Sequence, residues 1–260
     1  MLLSADTTNV LAIFVLAAAG LAVIIWILAA MARLPLTLPQ TLLFTWNFWT
    51  VRILWRARIS GRLPIPPGQG AIIVCNHRSS IDPSFIAVTV NRPVHWMVAK
   101  EYCEHPIFGR LLRICEVIPV SRGGIDTAAT KLAIRYAEEG GLVGVFPEGR
   151  INTTDQLMLP GRPGAAMIAL RARVPVVPCY ISGSPYDGTA LGSLLMPAKV
   201  RLEVGQPIDI SPYYGRETDR AVLEALTRRF LREIAGLAGR DDFQPRLAGR
   251  FYKPGLADDA

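Results

Sequence analysis

Residues 10–31 read VLAIFVLAAAGLAVIIWILAAM, 22 positions without a charge. As a helix rising ~1.5 Å per residue this run is about 33 Å long, enough to cross a bilayer core of about 30 Å. A cleaved signal peptide suits it less well. The first nine residues carry Asp6 and no Lys or Arg, and the run is long for the apolar region of such a peptide. A buried core helix of this length and uniform apolarity is weaker still. Positive charge falls downstream, at Arg33, Arg52, Arg56, Arg58 and Arg62. The positive-inside rule then predicts a single pass, with the N-terminus outside the cytoplasm and the rest of the chain inside it. Residues 1–35 are expected to be a transmembrane anchor.

The next stretch, TLLFTWNFWTVRILWRARI at 41–59, holds three of the five tryptophans, with arginines toward its end. Indole rings at headgroup depth and guanidinium groups among lipid phosphates suit a helix lying in the interface, so 36–62 is read as an interfacial amphipathic helix. The alternative is an amphipathic helix packed on a globular domain. GRLPIPPGQG at 61–70 is rich in turn formers and marks the entry to that domain, expected over 63–239, with a polar tail at 240–260.

Composition narrows the partners. Apolar residues make up 51% of the chain, mean hydropathy is +0.31, net charge is +7 and the pI is near 9.5. A basic chain suits nucleic acid, anionic lipid or a phosphorylated substrate. No interleaved aromatic and basic RNA-binding signature, helix-turn-helix or zinc-finger spacing occurs, so no nucleic-acid partner is expected. Cys75, Cys103, Cys115 and Cys179 form no CxxC pair, and neither a metal site nor a redox motif is indicated. Scattered single thiols fit a reducing, cytosol-facing domain.

Beyond residue 70, short apolar runs alternate with helical patterns. AIIVC, VHWMVA, EVIPV, GLVGVF, VPVVPCYI and KVRLEVG read as strands. DPSFIAVTV, IFGRLLRI, TAATKLAIRYAEE, GAAMIALRA and DRAVLEALTRRFLREIAGL read as helices. The alternation predicts an α/β fold, a mixed, largely parallel sheet flanked by helices.

Ligands of such sheets bind where strands end, and three strand ends carry unusual residues. AIIV runs into CNHRSSIDP. Five residues separate His77 from Asp82, which a continuous helix would turn by about 500°, leaving them about 140° apart. They meet only if the segment turns before a helix begins, as Pro83 favours. An Asp that fixes the tautomer of a His makes a general base, and Asn76 and Ser79 are placed to order the loop. The bland reading is helix capping by Asp82. The second end is VFPEGR, which puts Glu148, Gly149 and Arg150 on a tight turn, or else is an ordinary turn with a solvated ion pair. The third is EVIPVSRGG, where Arg122 precedes two glycines whose amides suit a phosphate cradle. Lys100, ending VHWMVAK, is placed to reach the same region. Singly, each basic residue is more often a surface charge. Together the set suits activation of a hydroxyl on a phosphate-bearing lipid.

NHRSSID resembles the NHxSxxD motif of the glycerolipid acyltransferase family, of the 1-acylglycerol-3-phosphate acyltransferase type. AKEYCEHPIFGRLLRICEVIPVSRGG, VFPEGR and VPVVPCYI are similar to its second, third and fourth blocks, in the family's order over about residues 70–182. The resemblance implies the glycerolipid acyltransferase fold. It also implies transfer of an acyl chain from an acyl-CoA or acyl carrier protein thioester to the hydroxyl of a lysophospholipid, with no bound cofactor and the bilayer as partner. His77 would then be the base, Asp82 its orienting partner and Arg122 the phosphate ligand, with Lys100 a helper. Glu148 and Gly149 would shape the acceptor pocket, and Pro178 would bound the acyl side. The commoner third block reads EGTR. Here Arg150 follows Gly149 directly, as in the branch acting on lysophosphatidylethanolamine, which leaves the headgroup open. No GxSxG elbow is present. His95 and His105 have no carboxylate at a useful spacing and are expected to be structural or interfacial. Alternatives are a transacylase or thioester hydrolase on the same fold, and a non-catalytic lipid-binding membrane protein.

The charge asymmetry gives a topological expectation. Protease added outside intact cells should remove a few N-terminal residues at most, and digestion of the domain from outside would reverse the orientation.

Overall fold

The computed structural model describes residues 5–33, 36–106, 108–121 and 126–249. Helix α1 spans Ala5–Arg33. Its apolar stretch Asn9–Ala29 is 21 residues long, with none of it buried against the rest of the chain. Helix α2, Leu38–Ile53, starts at a capping box, in which the Gln40 side chain accepts the Thr37 N–H at 2.9 Å. Its two sides differ. Gln40, Thr41, Asn47 and Val51 are buried. Gln40 donates to the Ile114 carbonyl and to the Glu116 carboxylate, and Asn47 donates to the Ser84 carbonyl. Leu38, Leu42, Trp46, Trp49 and Ile53 form an exposed apolar stripe at helical spacing.

The helix expected through residue 59 ends at Ile53. Arg56 takes a left-handed φ of 39°, and Arg58–Ser60 becomes strand β1. The reason is tertiary. The edge strand of the sheet has open backbone groups, and this segment pairs with them, a saving no local pattern encodes.

The other strands are β2 (Ala71–Cys75), β3 (Val94–Ala99), β4 (Ile118–Val120), β5 (Leu142–Val145), β6 (Val176–Ser182) and β7 (Arg201–Val204), in the order β1-β7-β6-β2-β5-β3-β4. All neighbours are parallel except β6 and β7, so the sheet is mixed and largely parallel. The interleaved helices are α3 (Asp82–Ala87), α4 (Lys100–Cys103), α5 (Phe108–Ile114), α6 (Thr127–Glu138), α7 (Gly164–Ala172), α8 (Ala190–Leu195) and α9 (Arg220–Leu237). Parallel strands covered on both faces read as continuous apolar runs, and every residue of β2 is buried. Ile72 and Val74 face one core with α6, α7 and α9, while Ala71, Ile73 and Cys75 face the other with Val51, Trp55, Phe85 and Ile86. Alanines 129, 133 and 137, all buried, give α6 a flat inner stripe. Residues 246–248 are bound to Gly161 through its N–H and its carbonyl.

One glycine in the sheet centre makes room for an aromatic stack. The Trp96 indole lies against Gly144, where a Cβ would run into its ring carbons. Trp96 stacks on Phe146 at 4.6 Å, and Phe146 on His77 at 3.8 Å. Gly144→Ala should therefore cost about 1–3 kcal/mol by overpacking. The unfolding midpoint in detergent measures this, and an unchanged midpoint would mean that the indole swings clear and the stack is loose.

Candidate active site

Parallel strands β2, β5, β3 and β6 point their C-terminal ends the same way, so the loops after them share one end of the sheet. Asn76, immediately past β2, is buried, and its amide reaches across to β6. Its Nδ2 donates to the Ile181 carbonyl and its Oδ1 accepts the Ile181 N–H, both at 2.8 Å. The side chain thus continues the sheet's hydrogen bonding where the strand itself turns away.

His77 comes next, with its ring 15% exposed. The turn expected from Pro83 forms, and Nδ1 lies 3.0 Å from Asp82 Oδ2. The same oxygen accepts the Arg78 N–H at 2.6 Å and the Ser79 N–H at 2.8 Å. An acceptor-only carboxylate requires Nδ1 to carry the proton, which leaves the Nε2 lone pair as the basic position. The ring lies flat on Phe146, with 5° between the planes.

The third block holds the His77 backbone. Glu148 is buried; its Oε1 accepts the His77 N–H at 2.8 Å and its Oε2 the Leu159 N–H at 2.7 Å. Asn152 donates its N–H to the His77 carbonyl at 2.7 Å. Burial pushes the Glu148 carboxyl up to about 7, against the two backbone donors that hold it down. Gly149 takes a φ of 71°, which a tight turn at that point requires of a glycine.

Other expected residues fall in different places. Ser79 is buried and donates its hydroxyl to the Pro185 carbonyl at 2.5 Å, a structural tie rather than a nucleophile's setting. Lys100 opens α4 at the end of β3, exposed and 3.3 Å from Glu104. Arg150 is exposed beside the Glu148 turn. Arg122 and the glycines after it lie outside the described residues. Pro178 sits in β6, paired with Val74. His95 stacks on Tyr136 and bonds the Glu116 carbonyl at 3.0 Å, so it is structural.

Three residues of the site have no strong sequence signal. Arg78 donates to the Thr154 carbonyl at 2.9 Å, clamping the loop after the Glu148 turn. Asn152 organises that loop, its Oδ1 accepting both the N–H and the hydroxyl of Thr154. Asn-x-Thr is the pattern of an Asx turn and was readable as such. Phe146 supplies the floor under His77, which only the fold reveals.

Chemically, the set presents a tautomer-fixed imidazole with one open nitrogen, on a backbone tethered at both its N–H and its carbonyl. Glu148→Ala should destabilise by roughly 1–3 kcal/mol for each donor left unpaired. Because the folded protein holds the Glu148 proton more tightly than the unfolded chain, this group's contribution to stability is complete below pH 4.5. It drains as pH rises toward about 7. Denaturant titrations across that range should show the decline in the wild type and its loss in Glu148→Gln; parallel profiles would contradict the raised pKa.

The geometry has counterparts. A sequence model of the family described as Acyltransferase matches residues 56–182. The 1-acyl-sn-glycerol-3-phosphate acyltransferase of Bacillus subtilis (strain 168) is 29% identical over 170 residues, covering 64% of this chain and 81% of that protein. The protein of the same description from Cocos nucifera is 27% identical over 141 residues, covering 53% of this chain and 46% of its own length. The crystal structure of the 1-acyl-sn-glycerophosphate acyltransferase PlsC from Thermotoga maritima shares the fold, with a TM-score of 0.54 at 24% identity over 78% of this chain and 77% of that one. With these blocks gathered at one end of that fold, residues 56–182 are similar to the Acyltransferase family.

Proposed function

We propose that this protein is an O-acyltransferase that moves an acyl chain from a thioester to the free hydroxyl of a membrane-held lysophospholipid, lysophosphatidate or a close relative, in phospholipid synthesis or remodelling. The observation that carries the reading is the 3.0 Å contact of His77 Nδ1 with Asp82, which leaves Nε2 to act as base. The acceptor hydroxyl gives its proton to Nε2 as its oxygen attacks the thioester carbonyl. The tetrahedral adduct collapses, the C–S bond breaks, and the departing thiolate takes the proton back from the imidazolium. Asp82 stays ionised and stabilises the imidazolium while it exists. No enzyme residue is acylated in this scheme, consistent with Ser79 being committed to Pro185.

Glu148 and Asn152 act on the reaction by fixing His77 rather than by touching substrate, and Gly149 makes the turn between them. Lys100, Arg122 and Arg150 are the cations proposed for the acceptor's phosphate, with Arg122 central. The donor is acyl-CoA or acyl carrier protein. Helix α1 anchors the chain in the membrane, and the catalytic end faces the cytoplasm, where a soluble donor meets a bilayer-held acceptor.

Labelled acyl-CoA offered with lysophosphatidate and with lysophosphatidylethanolamine, separately, tests the reading. Transfer to one of them is expected. His77→Ala should lose ~10²–10⁴-fold in rate, the usual contribution of a general base. Asp82→Asn should lose up to about 10⁴-fold by inverting the tautomer. Full activity in folded His77→Ala protein would refute the assignment.

A further inference from the structure

Leu195 is 73% exposed, the most exposed large apolar side chain among the described residues, and Met196 beside it is 37% exposed. Helix α8 holds them out by its other side. Ser193 is fully buried and donates to the Thr189 carbonyl, and Leu194 packs against the core shared with Val51 and Trp55. The tip is fastened to the end of α2: the Ala198 N–H donates to the Leu54 carbonyl at 3.3 Å, the Val200 N–H to the Trp55 carbonyl at 3.2 Å, and Arg56 Nε to the Ala198 carbonyl at 3.4 Å. Ile53, 69% exposed, ends the apolar stripe of α2 one residue before Leu54. The stripe and the tip therefore make one surface. Arg52, Arg56, Arg58, Lys199 and Arg201, all exposed, rim it, Arg201 being paired with Glu203.

The topology puts that surface at the catalytic end. Strand β6 ends at Ser182 where β7 begins at Arg201, and β1 begins opposite, at Arg58. The loop carrying His77 leaves β2 at the same end. The connection from β6 to α8 touches that loop directly, through Pro185 accepting the Ser79 hydroxyl.

We infer that Leu195 and Met196 form a second apolar contact with an anionic bilayer, which, with the stripe of α2, seats the His77 end of the sheet on the lipid surface. The inference rests on the proposed reading of α1 as an anchor. The occupant is assigned from continuity with α1 and α2 and from the basic rim, which complements anionic headgroups. Three points of attachment fix the tilt that one helix leaves free, so a lysolipid reaches His77 without leaving its layer.

The test uses the full chain with Cys103→Ser and Cys115→Ser; Cys75 and Cys179 are buried and stay unlabelled. Leu195→Cys carries an environment-sensitive fluorophore. Glu139→Cys, exposed at the opposite end of the sheet, is the control. The protein is placed in phosphatidylcholine–phosphatidylglycerol vesicles containing doxyl-labelled chains. A blue shift and lipid quenching at position 195 but not at 139 are expected. A water-exposed, unquenched label at 195 in protein that resists carbonate extraction overturns the inference and leaves the anchor standing. Extraction by carbonate overturns both. A blue shift without lipid quenching, accompanied by crosslinks between copies at 195, means that a second copy covers the tip, and also overturns it. In unlabelled protein, Leu195→Glu with Met196→Glu should lose transfer to a vesicle-held lysolipid and keep it toward a short-chain, water-soluble one. Equal effects on both acceptors, or none, count against the inference.

Discussion

One carboxylate oxygen organises the candidate active site of this protein. Asp82 Oδ2 lies within hydrogen-bond distance of the Arg78 and Ser79 N–H groups and of the His77 ring. Burying a carboxylate is costly without donors, and the chain from 77 to 82 supplies them to Oδ2 by coiling around it. That coil turns the imidazole to present Nε2, fixes which nitrogen is protonated, and starts α3 with an acidic residue in its first turn, where the helix dipole favours it. The geometry of the candidate site and helix initiation are the same event here.

The remaining blocks act as a frame for that coil. Asn76 fastens it to β6, Glu148 and Asn152 hold both backbone groups of His77, and the stack of Phe146 on Trp96 supports the ring from below. The frame draws on four separate strands, β2, β3, β5 and β6. Blocks far apart in the chain thereby meet around His77, and Glu148 holds its backbone there. Its raised pKa is the consequence of using a buried carboxylate as a backbone clamp.

Much of this was legible in the sequence. The strand runs and helical stripes beyond residue 70 lie where periodicity put them, because parallel strands buried on both faces have little freedom of composition. The His77–Asp82 turn was deducible from geometry and Pro83. Two kinds of feature were not legible. Pairing that exists only after folding, such as β1 joining the edge of the sheet, has no local signature, and the helical pattern through residue 59 misled there. Contacts between distant loops, such as Arg78 with Thr154 or Phe146 under His77, depend on which strand ends become neighbours. Arg150 and Lys100 illustrate the converse. They stand near strand ends as expected, yet both are exposed, and Lys100 is paired with Glu104 one turn along the chain.

The central claim is that Asp82 holds His77 as the Nδ1–H tautomer with Nε2 free to accept a proton. Nitrogen-15 NMR of histidine-labelled protein, with the His77 signals assigned by their loss in His77→Ala, reads this directly. At neutral pH the account predicts a protonated Nδ1 and an unprotonated Nε2, with the pattern lost in Asp82→Asn. A protonated Nε2 in the wild type, or a tautomer unchanged by removing the carboxylate, would contradict it.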